Sequence, residues 1–324
     1  MRRSKRRTNG NKLIIIVLAI IILVCGAWLI YKNYSKKDVS NTEENISQMS
    51  DNETEVKGEK TEDTAKSKAT HLNELGEDEA SFGKIEEPVY KIGEKNIKLP
   101  VLIYHGFSTP MLSNEDDPYK LMCSEDLFEE QITTLKNDGY TFITLEDMYK
   151  YKNGKIGLPE KNITITMDDG WEGNYTEAFD IIKKHEVPVT IFIVEELVDT
   201  PGYFNWEQAK EMYDTGLVKI HVHGRRHVSA TGYNSKEKII EDYNHTHALI
   251  EEKLEHKIQK IMAYPAGDSS ANTISWLKEA GFEVQVQTKY GTVNKSSSLD
   301  LTDLGRVRAE KASGASILKT INSK

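Results

Sequence analysis

Three short stretches of this 324-residue chain combine residue types that can carry out hydrolytic chemistry. Ile163-Thr164-Ile165-Thr166-Met167-Asp168-Asp169-Gly170 is a β-branched run that ends abruptly in two carboxylates and a glycine. Successive residues of an extended chain point to opposite sides, so one acid can bind a cation while its neighbour is turned toward a different atom. Val218-Lys219-Ile220-His221-Val222-His223-Gly224-Arg225-Arg226-His227 sets His223 and His227 four apart. One helical turn or a tight loop brings such imidazoles together on a metal. The zinc-protease pattern needs Glu directly after the first His, and Gly224 stands there instead. In Met262-Ala263-Tyr264-Pro265-Ala266-Gly267, Pro and Gly can hold a backbone N–H pointed into a cavity. Each stretch alone also has a plain structural use, as a turn or as a loop with uncommitted histidines.

These residues need a scaffold that gathers strand ends. Short apolar runs predict strands at Leu99–Tyr104, Thr141–Thr144, Asn162–Met167, Val189–Val194, Val218–Val222, Ile258–Ala263 and Phe282–Gln287. Helices are predicted at Ser124–Asp138, Tyr175–His185, Trp206–Thr215, Ser235–His256 and Ser270–Ala280, with Ser124 as an N-cap and Gly139, Gly216 and Gly281 just beyond helix ends. Strands alternating with helices argue for an α/β domain with a largely parallel sheet, and the number of units suits a (β/α) barrel. In a barrel the chemistry sits at the C-terminal ends of the strands, where all three polar stretches fall.

Together the stretches resemble the polysaccharide deacetylase family, carbohydrate esterase family four, over roughly Leu99 to Leu318. Leu102-Ile103-Tyr104-His105 is similar to its opening strand, Thr166-Met167-Asp168-Asp169-Gly170 to its first motif, His223 and His227 to its second, and Tyr264-Pro265-Ala266-Gly267 to its third. Trp206, and Leu277-Lys278-Glu279-Ala280-Gly281-Phe282, add to the likeness, and the exported poly-N-acetylglucosamine deacetylase branch is the nearest in pattern. The resemblance implies a distorted (β/α) barrel and a metal-dependent removal of N-acetyl groups from N-acetylglucosamine units. It implies Asp169, His223 and His227 as ligands of a divalent metal, most simply Zn2+, and Asp168 as general base. The backbone N–H of Ala266 would meet the oxyanion, and Tyr264 and Pro265 would line the substrate groove. Two imidazoles and a carboxylate leave coordination positions open for water and an amide carbonyl, which agrees with that chemistry.

The chain departs from the family at three points. Ala263 and Ala266 stand where the third motif carries Arg and an aromatic, so Arg225, Arg226 and Arg306 are the candidates to orient the base. The Asp-Trp pair of a fourth motif is not evident. No histidine follows His256, which makes His105, then His221, the candidate proton donors for the leaving amine. A glycan-binding pseudoenzyme is the non-enzymatic alternative. A glycosidase pairing Asp168 with Glu172 or Glu195 is the other, and it gives the histidines no role.

The N-terminal third reads differently. Residues 1–12 are basic, and Leu13 to Tyr31 carries no charged side chain over about 28 Å of helix, long enough to cross a bilayer. The excess of leading cations predicts a single-pass anchor with a cytoplasmic N-terminus and an extracytoplasmic domain. Residues 32–96 are predicted as a disordered linker, strongly acidic from Ser35 to Glu87, and 97–324 as the deacetylase domain. A net charge of -9 disfavours nucleic acid as partner, leaving the glycan and the membrane. Cys25 and Cys123 lie in unlike segments, which argues against a disulfide framework.

Overall fold

The computed structural model describes residues 75–113 and 115–323. The expected anchor at 13–31 and most of the expected linker lie outside them. Among the described residues no helix is long and apolar enough to cross a membrane.

One curled parallel sheet organises the domain. Its eight strands are β1 (Val101–Tyr104), β2 (Thr141–Phe142), β3 (Asn162–Asp169), β4 (Val189–Ile193), β5 (Val218–Val222), β6 (Ile261–Ala263), β7 (Val284–Val286) and β8 (Val307–Arg308). They run in the order β7-β6-β5-β4-β3-β1-β8, with β2 paired to β3. A lone bridge between Val286 and Leu304, with Gln287 N–H donating to Leu304 O at 2.8 Å, ties the segment leading into β8 to the opposite edge. The expected barrel is therefore a curled sheet whose two ends are linked by a few residues of irregular chain.

Strand sequence explains which side chain faces where. All eight residues of β3 are buried, as both faces of a covered parallel sheet require. Ile163, Ile165 and Met167 pack outward with Phe128, Ile132 and Ile182 of the flanking helices. The alternate residues Thr164, Thr166 and Asp168 turn to the inside of the curl. Strand β5 repeats the pattern: Val218, Ile220 and Val222 face outward, and Lys219 and His221 face inward. Val101, Phe192, Ala263, Val284 and Val286 fill the remaining interior.

The surrounding helices are α1 (Glu125–Asn137), α2 (Leu145–Lys152), α3 (Phe179–His185), α4 (Trp206–Asp214), α5 (Lys236–Leu254), α6 (Ala271–Glu279) and α7 (Gly314–Ser323). Five begin on a side chain that accepts a backbone N–H: Ser124, Thr144, Asn205, Ser235 and Ser270. The helix expected at Tyr175–His185 opens as a π-turn, Asn174–Ala178, before α3. Helices α2 and α7 were not anticipated, being short, and α2 is set by a Thr144–Asp147 capping box.

The packed chain also starts earlier than Ile97. Lys150 Nζ donates to the carbonyls of Gly76 and Glu79, 2.9 Å each, and Ser81 N–H donates to Asp147 at 2.9 Å. Val89–Tyr90 pairs with Leu158–Pro159, and Ala80, Phe82 and Ile92 lean on the inner cluster. Residues 75–96 thus belong with the domain rather than with the linker. Their apolar side chains are isolated among acids, and each meets its partner across the fold rather than along the chain, which local periodicity cannot register.

Candidate active site

The C-terminal ends of β3 and β5 bring Asp169, His223 and His227 together. Their ligand atoms all lie within 4.8 Å of one another. Asp169 Oδ1 is 3.4 Å from His223 Nε2 and 3.3 Å from His227 Nε2, and it is buried without a hydrogen-bond partner. The two imidazole centroids are 5.2 Å apart. His223 Nδ1 lies 3.0 Å from Ala263 O; a carbonyl only accepts, so Nδ1 carries the hydrogen and Nε2 is left to face Asp169. Burial would push the Asp169 carboxyl up, but the two histidines outweigh it and hold it far below the usual carboxylate range. An orphaned carboxylate oxygen converging with two imidazole nitrogens fits a divalent cation that accepts mixed N and O ligands.

Backbone conformation places these groups. Asp169 has φ 75° and Gly170 φ 82°, so the strand ends in a sharp left-handed step that turns consecutive carboxylates to separate tasks. Gly224 at φ 85° and His227 at φ 53° fold the second stretch into a tight loop rather than a helical turn. Helix α5 braces that loop: Asp242 accepts the Arg225 N–H at 3.3 Å and the Tyr233 hydroxyl. Trp171, just past the turn, donates its indole N–H to Asp169 Oδ2 at 3.0 Å.

Asp168 faces the other way, into the curl, and meets Arg306. Arg306 Nη1 donates to Asp168 Oδ1 at 2.7 Å and Nη2 to Oδ2 at 2.6 Å. Its Nε donates to Gln287 O at 2.8 Å and Nη1 also reaches Thr166 Oγ1 at 3.2 Å. Burial raises the Asp168 carboxyl, but the charges of Arg306 and His223 outweigh it and leave the carboxyl below its ordinary range. Of the three arginines considered, only Arg306 contacts this acid; Arg225 lies 3.4 Å from Glu195 and Arg226 lies 3.9 Å from Asp242.

His105 follows β1 directly, and Tyr104 before it pairs with Met167, the residue before Asp168, so His105 stands at the same strand end. Its Nδ1 is 2.8 Å from Oε1 of Glu310, a fully buried carboxylate, and its carbonyl accepts from Asn174 Nδ2 at 2.8 Å. Residue spacing alone does not mark Glu310. The one local sign is the alternation of Arg306, Arg308 and Glu310 with the buried Val307 and Ala309, a strand-like period with charges on one side.

Other expectations need correcting. Tyr264 is fully buried in the outer core, with its hydroxyl on Gln285 Oε1, so its side chain cannot line a substrate groove. Strand alternation continues through it and sends it outward. Pro265 is also buried, whereas Ala266 is exposed, with φ 55° in a tight turn. His221, two residues before His223, is buried and engaged away from the trio, with Nε2 2.8 Å from Glu146 Oε1 of α2. It lines a cavity of about 190 Å³ with Lys219 and Lys257. His247 of α5 is largely buried against Phe282, and burial lowers its pKa to about 4. Glu195 accepts from Thr246 at 2.6 Å and pairs with His245 at 2.9 Å, which leaves it engaged away from Asp168.

Residues 155–285 match the polysaccharide deacetylase family. The poly-β-1,6-N-acetyl-D-glucosamine N-deacetylase of Staphylococcus aureus is 30% identical over 187 residues, 54% of this chain and 64% of that protein. The Bacillus subtilis protein YxkH is 24% identical over 232 residues, 72% of this chain and 76% of that protein. Among solved structures, IcaB from Ammonifex degensii superposes with a TM-score of 0.60 at 26% identity, covering 69% of this chain and 97% of that one. The Streptococcus pyogenes deacetylase PplD shares the fold with a TM-score of 0.63 at 24% identity, covering 70% of this chain and 99% of that one. Over residues 155–285 the chain thus matches the polysaccharide deacetylase family, and its fold is that of solved polysaccharide deacetylases.

Proposed function

We propose that this domain hydrolyses the N-acetyl groups of N-acetylglucosamine units in a cell-surface polysaccharide, poly-N-acetylglucosamine or peptidoglycan, releasing acetate. The observation that carries the reading is the convergence of Asp169, His223 and His227 beside the Arg306-held Asp168 at one end of the sheet. A divalent cation bound by the trio, zinc being the best match to its donors, would polarise the amide carbonyl and make a water molecule a better nucleophile at neutral pH.

The chain's own groups account for the proton traffic. Asp168, ionised and fixed by two hydrogen bonds from Arg306, takes a proton as water oxygen bonds to the carbonyl carbon. The Ala266 N–H, on an exposed turn, stabilises the developing oxyanion. As the C–N bond breaks, His105 gives a proton to the departing nitrogen, and Glu310 holds the imidazole in place. Acetate and a free amine result. Arg306 on Asp168 and Glu310 behind His105 supply partners for the base and the proton donor, which favours an enzyme over a glycan-binding pseudoenzyme.

The polymer is inferred from the Staphylococcus aureus relative, and the topology from residues 1–31. We place the domain outside the membrane on a single-pass anchor; protease added to intact cells should cut between Ser35 and Glu74. The test of function is acetate release by the full-length protein from each polymer. Release abolished by Asp168→Asn is the expected result. No release from any N-acetylglucosamine polymer by metal-loaded protein would overturn the reading.

A further inference from the structure

The two oxygens of Asp169 have different surroundings. Oδ1 faces the two imidazole Nε2 atoms and has no hydrogen bond, whereas Oδ2 accepts the Trp171 indole N–H at 3.0 Å. The indole is itself fixed. It stacks on Tyr203 with ring centroids 5.0 Å apart and planes 25° from parallel, and the two residues form an antiparallel bridge. Glu172 N–H donates to Gly202 O at 2.9 Å, and Phe204 N–H to Gly170 O at 3.3 Å, so both sides of the bridge are stitched. Gly106 lies alongside the ring: a Cβ there would stand 3.3 Å from Trp171 Cγ, tighter than such contacts ordinarily are.

We propose that Trp171 is a positioning residue for the cation site, its indole N–H holding Asp169 Oδ2 so that only Oδ1 is offered between His223 and His227. This rests on the reading of that trio as a metal site. The terminal torsion of a carboxylate is soft and nearly two-fold, so an unrestrained Asp can rotate or present both oxygens to one cation. Two bound oxygens would consume a coordination position that water or the acetamide needs. An N–H on Oδ2 removes that freedom. Indole suits the position because it only donates, whereas imidazole could itself become a ligand.

The test uses full-length protein stripped of metal and titrated with Zn2+ against a chromophoric chelator. Wild type should bind about one ion per chain, and Trp171→Phe should bind it 10- to 100-fold more weakly, the usual effect of losing a group that orients a ligand. A second variant carries 3-benzothienylalanine at position 171, which keeps the shape and stacking of indole but replaces N–H with sulfur. It should show the same loss with an unchanged melting temperature. Wild-type affinity in the benzothienyl variant would overturn the proposal, showing that ring packing and not the N–H matters. Failure of the wild-type protein to take up zinc would instead overturn the trio as a metal site, a separate outcome because every variant is read against wild type.

Discussion

Arg306 grips both oxygens of Asp168, at 2.7 and 2.6 Å, from a fully buried position 138 residues further along the chain. A buried, two-pronged guanidinium fixes the carboxylate plane as well as its charge. Arg306→Lys keeps the charge but cannot make the fork. It should lower acetate release about 10- to 100-fold while zinc content stays near one per chain. Equal loss of metal would mean that Arg306 supports the cation site rather than the base.

The adjacent acids should separate binding from chemistry. His223→Ala, His227→Ala and Asp169→Ala each remove one of three converging donors, so each should strongly reduce zinc occupancy measured on dialysed protein. Asp168→Asn should retain the ion yet lose about 10²- to 10⁴-fold in rate, the range expected for general-base catalysis. Metal loss in Asp168→Asn with retention in Asp169→Ala would reverse the two assignments.

Sequence pattern reached the sheet and the convergence of Asp169, His223 and His227 because both are written locally. The run from Ile163 to Asp169 alternates faces within one strand, and His223 and His227 lie in one loop. Sequence names Arg306 among three candidates without ranking it and leaves Glu310 unmarked, because their partners are distant in the chain and meet them only where β8 pairs with β1, the neighbour of β3. Tyr264 and His221 were misplaced for a related reason. Which residue of a strand faces inward depends on register, and how far up the sheet it sits depends on where the strand ends; composition reports neither. Trp171 is not legible in the sequence, because an aromatic after Asp-Asp-Gly carries no periodicity and its 3.0 Å hydrogen bond to Asp169 exists only in the folded turn.

Below the site, Glu146 and His221 form a pair that should govern acid stability. Burial would raise the Glu146 carboxyl, but His221 and Lys219 outweigh it and bring it down to about 2. A carboxylate depressed in the fold stabilises fully above its ordinary value near 4.5, and that stability is lost as pH falls toward about 2. Glu146→Gln keeps an acceptor for His221 but removes the buried charge that faces it, and should cost roughly 3 kcal/mol at pH 7, a drop in Tm of about 10 °C for a domain of this size. Melts followed by circular dichroism should show the gap to wild type closing between pH 4.5 and pH 2. A gap that stays constant with pH would show that packing, not charge, is what Glu146 contributes.

The departing amine is a poor leaving group unless it is protonated as the C–N bond breaks, and the function proposed above gives that task to His105, since His221 is buried with Glu146. Its Nδ1 is held 2.8 Å from Glu310 Oε1, which orients the ring and leaves Nε2 as the atom able to carry the transferred proton. His105→Ala should lower kcat by about 10²-fold, with KM and zinc content near wild type. Glu310→Gln keeps a hydrogen-bond acceptor but removes the charge behind the ring, so it should give a smaller loss of about 10-fold. The double variant should be no slower than His105→Ala, because an orienting carboxylate has nothing to act on once the imidazole is gone. Additive losses would show that Glu310 acts through another group, with its 3.3 Å contact to Arg308 Nε as the first place to look. An unchanged rate in His105→Ala would mean that solvent protonates the nitrogen.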